Sequence, residues 1–249
     1  TALARALGPD TTQLLIDVDP GIRRTGVASP DAAVQLLAAI QRHPNLQYRG
    51  VQFYCGLQQH IAAFAERRDA IAERTRYLEQ VIELLTRCGG APGVVSGSGT
   101  GTHRIDAELG VITEWQVGSY VFMDGQYGAC QLAEQGAPFE YALFVDARVV
   151  SANTPGLATS DAGFKALSTD GGSPVIIAGA PQGATFLFMG DEHGAIIDPA
   201  LKHAWQIGDG VRFAVPHCDP TVNLYDAYHV VQGDTLVEIW PVTARGRSR

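Results

Sequence analysis

At 249 residues, with 46% hydrophobic and 18% charged residues, the chain has an ordinary globular composition and enough length to bury one large core or two smaller ones. Its net charge of −8 argues against a nucleic-acid-binding surface, and no apolar run approaches the roughly 18 residues of a membrane span. Cys55, Cys88, Cys130 and Cys218 lie far apart with no CxxC pair, which points to reduced thiols in a cytoplasmic protein and not to a disulfide framework.

The chain opens TALARALGPD, with neither Met nor a signal-peptide pattern. TTQLLIDVDPG (11–21) is then a short apolar run stopped by Pro-Gly, the pattern of a buried strand. SPDAAVQLLAAIQRHP (29–44) starts with Ser29 as N-cap and Pro30 at the first helical position, and keeps helical spacing until Pro44. YRGVQFYCG (48–56) is a second strand. Between Gln58 and Cys88, the residues Ile61, Phe64, Ile71, Leu78, Val81, Ile82 and Leu85 recur among Arg and Glu. That spacing predicts a long amphipathic helix or a broken pair, closed by Gly89-Gly90. GVVSGSGTG (93–101) is a third strand running into a glycine-rich loop. The alternation predicts a parallel α/β sheet or barrel, whose chemistry sits at the carboxyl ends of the strands.

Beyond about residue 138 the runs YALFVDARVVSA, PVIIAG, ATFLFMG, GVRFAV and TLVEIWPVTA are β-rich, are separated by Gly, Asp and Pro turns, and carry no helix signal. The expected division is an α/β part over 1–137 and an all-β domain over 138–249. Three βα units are too few to close an eight-stranded barrel, so the first part is expected to be a small open sheet or part of a (β/α)8 barrel.

The strand ends carry the polar residues of interest. SGSGTGTHR (96–104) supplies backbone N–H groups and small hydroxyls suited to a phosphate, although neither a Walker motif nor a Rossmann fingerprint is present; a ligand-free turn is the plainer alternative. DVDPGIRRTG (17–26) places Arg24 past a strand end, where it can meet a carboxylate, phosphate or phenolate, or neutralise Asp17 or Asp19. FYCGLQQH (53–60) sets Tyr54 at a strand end and His60 shortly after it. In VPHCDPTVNLYD (215–226), extended backbone would turn His217 and Asp219 to one face and Cys218 away, leaving a two-ligand site for a divalent ion such as Mn²⁺ or Zn²⁺; a polar turn after a buried strand is the plainer alternative.

Seven collinear segments, IDVDPGIRRTGV, LQYRGVQFYCGLQQH, GSGTGTHRID, ITEWQVGSYVFMD, ARVVSANTPGLATSDAGFKALSTD, GDEHG and PHCDPTVNLYD, closely resemble the D-threonine aldolase and D-serine dehydratase family. These are fold-type III pyridoxal 5'-phosphate enzymes with an alanine-racemase-like barrel. The resemblance runs from about residue 11 to the end. It implies that Arg24 lies beside the cofactor ring, that Tyr54 lines the substrate pocket, and that His60 helps remove the proton of the substrate β-hydroxyl. It likewise implies that Ser98, Gly99 and Thr100, with Tyr120, hold the phosphate, and that His217 and Asp219 ligate the divalent metal (Mn²⁺ or Zn²⁺, with Mg²⁺ or Co²⁺ as alternatives). The implied reaction is retro-aldol cleavage of a D-β-hydroxy-α-amino acid to glycine and an aldehyde by a homodimer. Dehydration to a 2-oxo acid and ammonia uses the same residues, and Asp219 favours the aldolase branch.

The family lysine that carries the cofactor precedes the first of these segments. The chain has only two lysines, Lys165 and Lys202, against 16 arginines, and neither occupies that position. The expectation is that the N-terminal portion is missing and that the chain alone is inactive. Two other classes are carried forward: a non-catalytic cofactor-binding relative, and a metal hydrolase using His217, Asp219 and His193.

Overall fold

The computed structural model describes residues 1–201 and 203–247; Lys202 and the last two residues of the expected second domain lie outside the described residues. The chain divides into two compact units, Thr1–Gly118 with Cys130–Pro138, and Ser119–Ala129 with Phe139–Arg249.

The first unit contains α1 (Ala2–Leu7), β1 (Thr12–Asp17), α2 (Pro30–Gln41), β2 (Leu46–Phe53), a 3-10 turn (Gly56–Gln58), α3 (Phe64–Arg87), β3 (Val94–Gly97), α4 (His103–Leu109) and β4 (Glu114–Trp115). Its four strands pair in the order β1-β2-β3-β4, all parallel. Sequential parallel pairing through helical crossovers is how a barrel wall is built, whereas a doubly wound sheet would reverse its order. Ser29 caps α2 as its sequence predicts, its hydroxyl accepting from the Ala32 N–H at 3.2 Å. The 58–88 stretch resolves into the 3-10 turn and one 24-residue helix, α3, not a broken pair of long helices. Ile71, Leu78 and Leu85 recur every seventh residue on its buried side and pack with Leu37 and Ile40 of α2 over Ile16, Val51 and Val95 of the sheet. Burying each such side chain contributes about 1.5–3 kcal/mol, and this stripe sets α3 against the sheet. Gly50, with φ 155°, lies at a register shift between β1 and β2, and a Cβ there would sit 1.8 Å from the Val94 carbonyl. Only glycine lets β2 and β3 approach so closely.

The second unit comprises a 3-10 turn (Ser119–Val121), α5 (Gly125–Gly128), β5 (Phe144–Thr154), β6 (Leu157–Ser160), β7 (Val175–Ala178), β8 (Thr185–Phe188), β9 (Gly194–Ile197), β10 (Gly210–Ala214), α6 (Cys218–Val222), β11 (Ala227–Gln232) and β12 (Thr235–Pro241). Six strands form an antiparallel sheet in the order β7-β10-β5-β6-β9-β8, and β11 and β12 form a separate hairpin. Phe213, fully buried, meets Phe186 edge-on at 5.1 Å in the core of this unit. The all-β expectation needs one correction. The segment CDPTV forms the short helix α6, because Pro220 sits in its first turn, where its missing N–H costs nothing. Asp124, fully buried, ties α5 to α6: Oδ1 accepts from the Tyr127 N–H and Oδ2 from the Cys218 N–H, each at 3.0 Å.

Candidate cofactor and metal site

In the first unit the carboxyl ends of β1, β2 and β3 carry Arg24, Tyr54 and the loop Ser98-Gly99-Thr100. Among the described residues Arg24 forms no ion pair with an aspartate. Asp19 instead closes its own turn by accepting from the Gly21 and Arg23 N–H groups at 2.9 and 3.0 Å, and the Arg23 N–H leads in holding its carboxyl below the usual range. The Arg24 guanidinium lies 5.7 Å from the centroid of the Tyr54 ring. This cation–π approach joins two residues that are 30 positions apart in sequence. Arg24 also lines an open depression of about 560 Å³ with Asp19, Arg23, Arg74 and Tyr77, within the size range of small-molecule sites. His60 is exposed on the turn leading to α3.

Ser98, Gly99 and Thr100 are all buried at the end of β3. Ser98 takes φ 69°, a left-handed conformation uncommon outside glycine, and among the described residues its buried hydroxyl completes no hydrogen bond of good geometry, with the Asp106 carboxylate as its polar neighbour. A strained residue holding an orphaned hydroxyl at a strand end fits a phosphate that completes its hydrogen bonding. Two glycines permit the close packing beneath this loop. A Cβ on Gly99 would lie 2.5 Å from Gln59 Oε1, and one on Gly101 would lie 2.0 Å from the Gln59 carbonyl.

Gln59 is fully buried and was not singled out from sequence. Its Oε1 accepts from the Gly101 N–H at 3.0 Å, and its Nε2 donates to Thr102 Oγ1 at 3.1 Å. It therefore fixes the loop's shape from the residue next to His60. Asp106 of α4 lies below the same loop, with one carboxylate oxygen unpartnered, and burial pushes its pKa up.

In the second unit Tyr120 is exposed on the 3-10 turn and stacks at 5.4 Å on Phe139. His217 has extended backbone as the residue preceding α6, and Asp219 stands in that helix's first turn. The strand alternation expected for this pair is thus replaced by a strand-to-helix junction. The junction still sets His217 Nε2 3.4 Å from Asp219 Oδ2. Cys218 is buried, its thiol donates to Asp219 Oδ2 at 3.4 Å, and burial pushes its pKa up to about 12. A neutral thiol packed into the core is a poor metal ligand.

The signal missed from sequence is Asp170. Its Oδ2 lies 2.6 Å from His217 Nδ1. Partial burial opposes its charge, yet the His217 hydrogen bond and the imidazole's charge hold its carboxyl below the usual range. A carboxylate on Nδ1 leaves Nε2 as the donor nitrogen beside a second carboxylate, the arrangement in which a histidine ligates a divalent ion. The residues present therefore fit such a metal. Among the described residues no three or more His, Cys, Asp or Glu side chains gather closely enough to hold an ion, so this chain offers two ligands, His217 and Asp219, and the third ligand of the hydrolase alternative, His193, is not gathered to them. Lys165 pairs with Glu192 on the second unit's surface.

Residues 1–126 match the family model described as alanine racemase, N-terminal domain, and residues 142–231 match the putative serine dehydratase domain. The chain is 39% identical over 238 residues to the D-threonine aldolase of Arthrobacter sp., covering 95% of this chain and 62% of that protein. It is 35% identical over 239 residues to the 3-hydroxy-D-aspartate aldolase of Paracoccus denitrificans (strain Pd 1222), covering 94% of this chain and 60% of that protein. The crystal structure of D-threonine aldolase from Filomicrobium marinum superposes with a TM-score of 0.88 at 36% identity, over 95% of this chain and 63% of that one. D-threo-3-hydroxyaspartate dehydratase from Delftia sp. HT23 gives a TM-score of 0.79 at 26% identity, over 96% and 68%. The chain thus spans about three fifths of the length of the two aldolase relatives.

Proposed function

The chain belongs to the alanine racemase N-terminal domain family, in the branch of the D-threonine aldolases and D-serine dehydratases, and from that premise we propose that the whole protein is a pyridoxal-phosphate- and divalent-metal-dependent lyase cleaving D-threonine and related D-β-hydroxy-α-amino acids to glycine and an aldehyde. The observation that carries the metal-assisted reaction is the line Asp170–His217–Asp219, an imidazole fixed at one nitrogen and facing a second carboxylate with the other. When bound, pyridoxal phosphate supplies an electron sink for the pair released at Cα, and the ion lowers the pKa of the β-hydroxyl.

The chain's own residues do the rest. Ser98, Gly99 and Thr100 would hold the phosphate, where the buried Ser98 hydroxyl would complete its hydrogen bonding, and the family resemblance assigns Tyr120 to the cofactor as well. Arg24, beside the Tyr54 ring, would lie against the cofactor ring, and Tyr54 would border the substrate. His217 and Asp219 would hold the ion, for which Mn²⁺ or Zn²⁺ is our choice. His60 takes the proton from the substrate β-hydroxyl as Cα–Cβ breaks. The reading gives Lys165 no part, since Glu192 holds its ammonium.

Dehydration to a 2-oxo acid and ammonia is the second reading, favoured by the match of residues 142–231, which include the His217–Asp219 pair, to the putative serine dehydratase domain. The test is to incubate the full-length protein, pyridoxal phosphate and Mn²⁺ with D-threonine and to assay acetaldehyde and 2-oxobutanoate together. Acetaldehyde with glycine supports the aldolase, 2-oxobutanoate the dehydratase, and neither product sinks both. Among the described residues no helix is long and apolar enough to cross a membrane. The four free cysteines support a cytoplasmic setting. A homodimer follows from the family resemblance and is read by sedimentation.

A further inference from the structure

The first turns of α3 carry a charge where water does not reach it: Arg67 is 0% exposed. Its Nε donates to the Gly101 carbonyl at 2.7 Å, and its terminal nitrogens donate to the carbonyls of Ile61 and Gln131, with that of Ala62 at 3.5 Å. All four acceptors are neutral peptide oxygens. Among the described residues no carboxylate lies within ion-pair distance of this guanidinium.

A fully buried cation with no carboxylate partner, and only the Cys130 sulfur near it as a potential anion, is costly, and neutral donors would serve four carbonyls with less penalty. Burial draws the Arg67 pKa down, yet arginine stays charged at any physiological pH. The placement sets this charge directly behind the glycine loop. Gly101 directly follows Ser98-Gly99-Thr100; Gln59 holds its N–H from one side and Arg67 its carbonyl from the other.

We infer that Arg67 is a positioning residue that sets a permanent positive charge behind the glycine loop and holds the phosphate bound there as a dianion. The inference rests on the cofactor reading above and adds a residue to it. Being fully buried, Arg67 acts through the low-dielectric layer of the loop, not by contact, and the bound dianion in turn offsets the cost of its burial.

The test uses the full-length protein with Arg67→Lys, which keeps the charge and loses the fork, and Arg67→Gln, which is polar and neutral. Binding of pyridoxal phosphate is compared with binding of pyridoxal, which lacks the phosphate. Arg67→Gln is expected to weaken pyridoxal phosphate by about tenfold or more while leaving pyridoxal within about twofold, and Arg67→Lys to keep most of the phosphate preference. Equal losses for both ligands in both variants would make Arg67 a carbonyl staple only and overturn the inference.

Phosphorus NMR of the bound cofactor in the unmodified protein gives a reading that needs no variant. The signal should not titrate near pH ~6, where a free phosphate monoester takes up its second proton. Titration at the free value would overturn the inference even if Arg67→Gln fails to fold. An unmodified protein that binds neither pyridoxal phosphate nor inorganic phosphate would bring down the cofactor reading itself, whereas phosphate binding indifferent to Arg67 would bring down this inference alone.

Discussion

At the scale of single residues, Ser98 separates the needs of the fold from those of the ligand. Its hydroxyl completes no hydrogen bond of good geometry among the described residues and only neighbours the buried Asp106 carboxylate, so Ser98→Ala removes little that the ligand-free fold uses, and the left-handed strain is the same for both residues. The variant should unfold within about 0.5 kcal/mol of the parent while its pyridoxal phosphate affinity falls roughly tenfold. Denaturant melts beside a cofactor titration of the full-length protein check both halves, and a large stability loss would place the hydroxyl in the fold's own network. Asp170 makes the complementary case. Removing the carboxylate from His217 Nδ1 should cost about 10–100-fold in metal affinity with cofactor binding unchanged. Competition of Asp170→Ala against a chromogenic chelator measures this, and unaltered Mn²⁺ affinity would leave Asp170 an ornament of the turn.

At the scale of elements, the stripe along α3 predicts its own weak point. Leu78 is fully buried, so Leu78→Ala should destabilise the first unit by about 3 kcal/mol, read as a lowered urea midpoint. That stripe was legible in the sequence because its spacing is local, as was α2, which announces itself through Ser29-Pro30. The four-residue strands LATS and GAII were not, since so short a run of small residues carries no period of its own and forms by pairing with β5, β6 and β8. Helix α6 hid behind His217, Cys218, Asp219 and Pro220, which read as a polar turn. Arg67 and Gln59 were invisible for another reason: nothing local tells a buried polar residue from an exposed one until carbonyls from distant segments converge on it. Between strands, Arg212 of β10 makes a two-pronged contact to Asp146 of β5 at 2.6 and 2.8 Å. The Arg212 hydrogen bond leads in holding the Asp146 carboxyl below its usual value. A depressed folded pKa means stability that is present above the unfolded value of about 3.9 and lost as pH falls through the folded one. Both side chains are largely exposed, so Asp146→Asn should cost only about 0.5 kcal/mol at neutral pH. The gap between variant and parent in urea should narrow as pH falls below the unfolded value of about 3.9, and a gap that widened there would reverse the assigned sign.

At the scale of the whole molecule, the residues assigned to the two ligands fall in different compact units. Arg24, Tyr54, His60 and the Ser98–Thr100 loop belong to the first, and Tyr120, His217 and Asp219 to the second. Each set is built by contacts within its own unit: Gln59 and Arg67 brace the loop in one, and Asp124 and Asp170 brace the His217 junction in the other. Within the proposed function, a metal held by one unit and a cofactor held chiefly by the other should be removable one at a time. Treating the full-length holoprotein with EDTA should therefore leave the cofactor's visible absorbance and stoichiometry in place. Aldehyde formation from D-threonine should meanwhile fall by about 100-fold or more, because the ion's part is to stabilise charge on the β-hydroxyl oxygen, a contribution of several kcal/mol. Added Mn²⁺ should restore it. Loss of cofactor in step with metal would mean that His217 and Asp219 serve the cofactor directly. Cleavage that persists without metal would leave His60 to ionise the hydroxyl unaided, and the Asp170–His217–Asp219 line would then need another purpose.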